Sequence, residues 1–254
     1  MFKQPLNVFF NALTFYTRLP APSWVEYSAQ NLNRASAYFP LIGLMVALIS
    51  YGIFFSAHLF LPFELSLLIS MAAGVLLTGA FHEDGLADLC DGFGGGWSQD
   101  DILRIMKDSR LGTYGVSGLC FVLLLKWSSL SALEPAHLLL SLLLAHSLSR
   151  AFTISLIAVL PYVQADAISK AKPIAQKWHI KDLALAWSWC LIPLCFIPLA
   201  WTATLLVMGG LATWAIRRWF NKRLKGYTGD ALGASQQIHE VMIYILLVAL
   251  SSYP

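Results

Sequence analysis

Residues 183–216 read LALAWSWCLIPLCFIPLAWTATLLVMGGLATWAI, 34 positions without a charged side chain. A helix of about 20 apolar residues crosses a bilayer, so this stretch is too long for one crossing. Pro193 and Pro198 lie inside it, and a proline in a helix interior removes a backbone donor and clashes with the turn before it. The stretch therefore reads as a hairpin of two spans, near 184–200 and 202–217. Other apolar runs cover Ala37 to Phe63, Leu65 to Phe81, Leu111 to Leu133 (broken by Lys126) and Ala136 to Leu160 (broken by Arg150). The last run, Val241 to Leu250, is long enough only if its helix starts near Gln236. The expected fold is all-α: a polytopic helical membrane protein with about seven transmembrane helices.

Composition agrees. Of the 254 residues 57% are hydrophobic and 12% charged, and the mean hydropathy is +0.64. Soluble domains carry about 25% charged residues. A soluble domain of this size could not hide so much apolar surface, and disorder requires the opposite balance. A net charge of +3 gives no basis for a nucleic-acid partner.

The basic residues bear on topology. Segments 1–36, 82–110, 162–182 and 217–240 hold 15 of the 17 Lys and Arg, and the other two are Lys126 and Arg150. Seven spans put all four segments on one face. The positive-inside rule makes that face cytoplasmic and the C-terminus external. Leu6 to Tyr16 is apolar but short and is followed by Arg18, Pro20 and Pro22, with no small-x-small cleavage site. It is expected as an interfacial or re-entrant helix rather than a signal peptide. No repeat or low-complexity segment divides the chain, so residues 1–254 are read as one membrane domain. The four cysteines form no CxxC pair and read as small buried hydrophobes. His82 and His239 flank the polar loops and are expected as interfacial histidines.

Seven of the 14 acidic residues fall in 82–110. Asp84, Asp88 and Asp91 stand at i, i+4 and i+7, which on a helix continuing from the second span puts all three on one face. Three like charges there need something positive beside them. Oxygen ligands at a membrane surface suit a hard divalent cation, Mg2+ or Mn2+. Mg2+ takes few carboxylates and completes its shell from water and substrate phosphate. Gly85 and Gly92 weaken an ordinary helix and are read as room for a bulky ligand beside the backbone, while Gly94, Gly95 and Gly96 end it. Lys107, Asp108, Ser109 and Arg110 precede the third span and suggest phosphate contacts beside a metal ligand. Thr228-Gly229-Asp230 reads as a turn that opens a helix and delivers a carboxylate and backbone N–H groups. Arg150, near the middle of a span, is a candidate functional residue, and Lys126, nearer a span end, is expected to snorkel. These parts point to a metal-dependent membrane transferase acting on a diphosphate.

Taken in order, Glu83-Asp84-Gly85-Leu86-Ala87-Asp88 with Asp91-Gly92, then Met106 to Gly115, then Thr228-Gly229-Asp230 with Leu232-Gly233-Ala234 closely resemble the bacterial cobalamin synthase family, the adenosylcobinamide-GDP ribazoletransferases. Phe10-Asn11-Ala12-Leu13, Thr17-Arg18-Leu19-Pro20 and Tyr38 to Gly43 also look like that family, so the resemblance runs along essentially the whole chain. It implies transfer of cobinamide-phosphate from adenosylcobinamide-GDP to alpha-ribazole or its 5'-phosphate, with release of GMP. It also implies Mg2+ as cofactor and the bacterial inner membrane as location, with the active site on the cytoplasmic side. On this reading Asp84, Asp88, Asp91 and Asp108 hold Mg2+ on the diphosphate. Lys107, Ser109, Arg110 and Arg150 bind substrate. Asp84, Asp88 and Asp230 are the catalytic carboxylates, with Asp230 either a further metal ligand or the base. The implied partners are the two substrates and the lipid bilayer, with a second copy or other B12 assembly enzymes as candidates. The rival readings are a CDP-alcohol phosphotransferase or aspartate-rich prenyltransferase, and a transporter. The first expects Arg after Ala87, where Asp88 stands; the second expects another aspartate-rich motif, which 228–230 matches poorly. A transporter would be expected to bury its acids within spans.

Overall fold

The computed structural model describes residues 3–163 and 179–251. Lys170, Lys172 and Lys177, counted above among the loop cations, lie outside the described residues. The helices run in the order α1 (Lys3–Tyr16), α2 (Ala29–Ala35), α3 (Phe39–His58), α4 (Phe63–Thr78), α5 (Phe81–Gly95), α6 (Gln99–Met106), α7 (Thr113–Ser131), α8 (Leu138–Ile157), α9 (Ile180–Leu194), α10 (Leu199–Leu224) and α11 (Gly229–Ser251). The described residues contain no β-strand, only one isolated bridge between Tyr162 and Tyr227. In a bilayer every backbone polar group must be satisfied within the segment, which helices achieve.

The proline-broken stretch forms two helices, α9 and α10, as expected, with the break at 195–198 rather than near 201. Pro193 sits in the last turn of α9, and Pro198 caps α10, its carbonyl accepting from Thr202 N at 3.0 Å. Among the described residues five helical segments are each long and apolar enough to cross a membrane on their own: Ala29–His58, Thr113–Ser131, Pro135–Ile157, Leu199–Leu224 and Gly229–Ser251. Helix α9 has 15 residues, about 22 Å at ~1.5 Å per residue. Helices α4 and α5 pass as a span only together, and they meet at 87°. The last span begins at Gly229, not near Gln236, because Thr228 caps it: Ala231 N donates to Thr228 Oγ1 at 3.1 Å. Helix α1, 14 residues long, buries Ala12, Leu13 and Tyr16 in a cluster that includes Phe39 and Ile42 of α3.

Helix α8 is central. It is buried along almost its whole length and packs on α3, α9 and α11. Gly43 makes the α3 contact possible, since a β-carbon there would strike His146 O. By contrast α7 and α10 expose Phe121, Leu124, Val207 and Leu211, which suits a lipid solvent.

One of two interior charges departs from the sequence reading. Lys126 does not snorkel. It is 6% exposed, and its Nζ lies 2.7 Å from Glu240 Oε1 on α11. Arg150 is 2% exposed and bonded inward: Nη1 donates to His146 O at 2.8 Å, lies 3.9 Å from Glu240 Oε2, and the guanidinium covers the Phe39 ring at 5.2 Å. These contacts make it a buried group inside the bundle, bonded to α8 and facing Glu240. A polar cavity of about 50 Å³ lies among Glu83, Lys126, His146, Arg150, Gln237 and Glu240. That volume holds a few waters.

Candidate active site

The acidic helix does not continue the second span. Helix α4 ends in Gly79 (φ 68°) and Ala80 (φ 57°), both left-handed. Gly79 N donates to Leu76 O at 3.1 Å and Ala80 N to Val75 O at 2.8 Å, the pair of bonds that closes a helix C-terminus in a Schellman motif. Arg18 N, from the segment after α1, takes Leu77 O at 2.8 Å. The chain then restarts at 87° as α5, which packs on α11, α7 and α6.

On α5, Asp84 is exposed and Asp88, one turn on, is half-buried. Asp230, in the first turn of α11, packs against them. The reason is Gly85, whose α-hydrogen faces the backbone of Asp230. A β-carbon at Gly85 would lie 2.7 Å from Asp230 O and 2.9 Å from its Cα. The space at Gly85 therefore admits a helix, not a ligand as the sequence suggested. Gly85→Ala should cost about 1–3 kcal/mol through overpacking and move Asp230 off Asp84 and Asp88. Thermal unfolding in detergent would show the destabilisation, and turnover should fall further than stability; unchanged turnover would separate the helix contact from function.

Among the described residues no Lys or Arg pairs with Asp84, Asp88 or Asp230. Burial and the like charges of Asp230, Asp84 and Asp91 push the Asp88 carboxyl up to about 7. Also among the described residues, no three His, Cys, Asp or Glu side chains close tightly enough to chelate a metal on their own. The donors present are carboxylate oxygens with their charge unbalanced. That fits a Mg2+ site left open for water and phosphate oxygens.

The other expected ligands have different partners. Asp91 is buried, and its two oxygens accept from Gly112 N at 2.7 Å and Gly115 N at 2.8 Å. It caps the N-terminus of α7, where a carboxylate also meets the positive end of the helix dipole. A β-carbon at Gly112 or Gly115 would strike its oxygens, which accounts for both glycines. Asp108 is bound by Arg110, with Nη2 2.6 Å from Oδ2 and Nε 3.0 Å from Oδ1. This pairing holds the Asp108 carboxyl down to about 2. Lys107, Ser109 and Arg110 are exposed between α6 and α7. Asp91→Ala should uncap α7 at a cost of about 1.5–3 kcal/mol per charged hydrogen bond. Asp91→Asn should cost less, because it keeps one acceptor. Equal unfolding temperatures for the two variants would contradict the capping role.

Some features gave little sequence signal. Glu83 Oε1 accepts from Gln237 Nε2 at 3.0 Å, a second tie between α5 and α11. Arg223 Nη2 donates to Phe93 O at 3.0 Å and Gly96 O at 2.7 Å, closing the far end of α5. His82 and His239 are buried rather than interfacial, at 2% and 0% exposure. A cavity of about 310 Å³ opens beside Asp230, walled by Phe15, Tyr16, Phe39, Phe81, Tyr162 and Tyr227. Its walls come from α1, α3, α5, α8, α11 and the Tyr162–Tyr227 bridge, so no single motif announces it.

Fold and site together define a polytopic helical membrane protein with a carboxylate cluster where α5 meets the start of α11. Residues 8–248 match the family described as CobS, cobalamin-5-phosphate synthase, and the chain belongs to that family. It is similar to the adenosylcobinamide-GDP ribazoletransferases of Shewanella frigidimarina (47% identical over 96% of this chain and 95% of that protein) and Shewanella oneidensis (48%, over 96% and 94%). The protein of the same name from Shewanella piezotolerans is 45% identical over 97% of this chain and 96% of its own length. No solved structure matches.

Proposed function

We propose that the protein transfers cobinamide-phosphate from adenosylcobinamide-GDP to alpha-ribazole or its 5'-phosphate, releasing GMP. The observation that carries the site is the meeting of Asp84, Asp88 and Asp230 across the α5–α11 contact without a basic partner among the described residues. Asp84 and Asp88 hold Mg2+. When bound, the ion neutralises the diphosphate and the departing phosphate. Asp230 borders the aromatic cavity as well as α5, which supports it as the group that takes the proton of the acceptor hydroxyl. The ribose 3'-oxygen forms a bond to the cobinamide-side phosphorus, the bond from that phosphorus to the bridging oxygen breaks, and GMP leaves with the electron pair. Lys107, Ser109 and Arg110 bind donor phosphate oxygens, with Arg110 exchanging its Asp108 partner for phosphate. With α4 and α9 also crossing the bilayer, the four basic segments share one face, which supports a site on the cytoplasmic side of an inner membrane.

The test is turnover by protein in nanodiscs supplied with both substrates, with and without Mg2+. Joint, Mg2+-dependent formation of GMP and the cobamide is the expected result. No product from well-folded protein would overturn the reading.

A further inference from the structure

The cavity beside Asp230 has a composition of its own. Six aromatic rings wall it: Phe15 and Tyr16 from α1, Phe39, Phe81, Tyr162 and Tyr227. Phe15 and Phe81 meet edge to face at 5.3 Å, and Tyr162 and Tyr227 at 5.6 Å. Apart from Asp230 the polar groups of the lining are the His82 ring, the hydroxyls of Tyr16, Tyr162 and Tyr227, and Thr153, which is hydrogen-bonded to Ser235 Oγ at 3.2 Å. At about 310 Å³ the space lies at the lower end of the ~300–1,000 Å³ range of small-molecule pockets, which suits a bicyclic ring and not a corrin.

We propose that this pocket seats the flat, apolar aromatic base of the nucleoside acceptor and holds its sugar at Asp230. The assignment rests on the ribazole-transfer reading above. Stacking on rings favours any aromatic base. The lining is mostly rings and the aliphatic chains of Ile154, Ile157 and Leu232, which favours a base with few polar edge atoms. Guanine, on the donor, carries several donors and acceptors along one edge, and each one buried without a partner is costly. A benzimidazole buries almost none. A base seated here also directs its sugar toward the carboxylates, because Asp230 belongs to both the pocket and the α5–α11 contact.

The experiment uses the full chain in nanodiscs, with Phe15→Ala and Phe81→Ala at the two partly exposed rings and Phe81→Tyr as the conservative control. Each alanine variant should raise the KM for alpha-ribazole about tenfold and leave the KM for adenosylcobinamide-GDP within about twofold. Phe81→Tyr should restore the acceptor KM. The donor KM rising alone would place guanine in the pocket and overturn the proposal. Equal loss for both substrates with a lower unfolding temperature would reduce the rings to packing and also overturn it. Equilibrium dialysis of alpha-ribazole alone separates this inference from the reaction. If wild-type protein makes no cobamide but retains alpha-ribazole, and Phe81→Ala does not, the transfer reading fails and the pocket stands. If wild-type protein retains none, the pocket assignment fails.

Discussion

Replacing Asp88 by asparagine is expected to lower turnover by about 10²-fold or more, on the scale of removing one electrostatic stabiliser from an active site. It should not destabilise the protein. Asp88 stands half-buried among three other carboxylates, and burial together with Asp230, Asp84 and Asp91 raises its carboxyl from 3.8 to about 7. In metal-free buffer the folded protein therefore keeps a proton that the unfolded chain gives up. The stabilisation from that proton is fully present below pH 3.8 and is lost as pH rises through about 7. Wild-type protein in EDTA should lose thermal stability over this window relative to Asp88→Asn, and saturating Mg2+ should flatten the difference. A variant that turns over normally in saturating Mg2+ would remove Asp88 from the site. A variant that unfolds earlier than wild type at neutral pH in EDTA would remove the charge crowding. Loss of activity with gain of stability is the signature of a residue kept for function.

The second large effect concerns Glu240, which touches no proposed substrate. It is 4% exposed, with Lys126 Nζ at 2.7 Å and Arg150 Nη1 at 3.9 Å. Glu240→Leu removes the carboxylate that pairs with two buried cations. Breaking a buried pair by deleting one partner costs about 3–5 kcal/mol, a large share of a typical ~5–15 kcal/mol stability. The expected result is little folded protein in the membrane fraction and a sharply lowered unfolding temperature in detergent. Pairing Glu240→Gln with Lys126→Met should recover part of the loss, because one stranded cation goes with the anion. A Glu240→Leu protein as stable as wild type would mean that water in the polar cavity already solvates Lys126 and Arg150.

Local chemistry was legible in the sequence, and long-range pairing was not. Pro193 and Pro198 marked the break between α9 and α10 because proline acts on its own turn. The i, i+4 spacing put Asp84 and Asp88 on one face because helix geometry is periodic. The Thr228 cap could be read from Thr-Gly-Asp. The elbow after α4 depends on a left-handed Ala80, a conformation for which alanine gives no local signal. Lys126 read as a snorkelling residue because Glu240, 114 positions away, supplied no cue that it would lie opposite. The same limit hid the partners of Asp91. Spacing assigned it to the metal with its neighbours, but Gly112 and Gly115 reach it first. Gly85 stood out in the sequence, yet only the position of Asp230 shows what it accommodates.

The right-angle turn at Gly79–Ala80 also chooses neighbours. A straight continuation of α4 would carry Asp84 and Asp88 onward along its own axis. Turned by 87°, α5 packs on α11 and α7 and sets Gly85 against the backbone of Asp230. The corner before the acidic helix, and not the acidic helix itself, decides which carboxylates share one place.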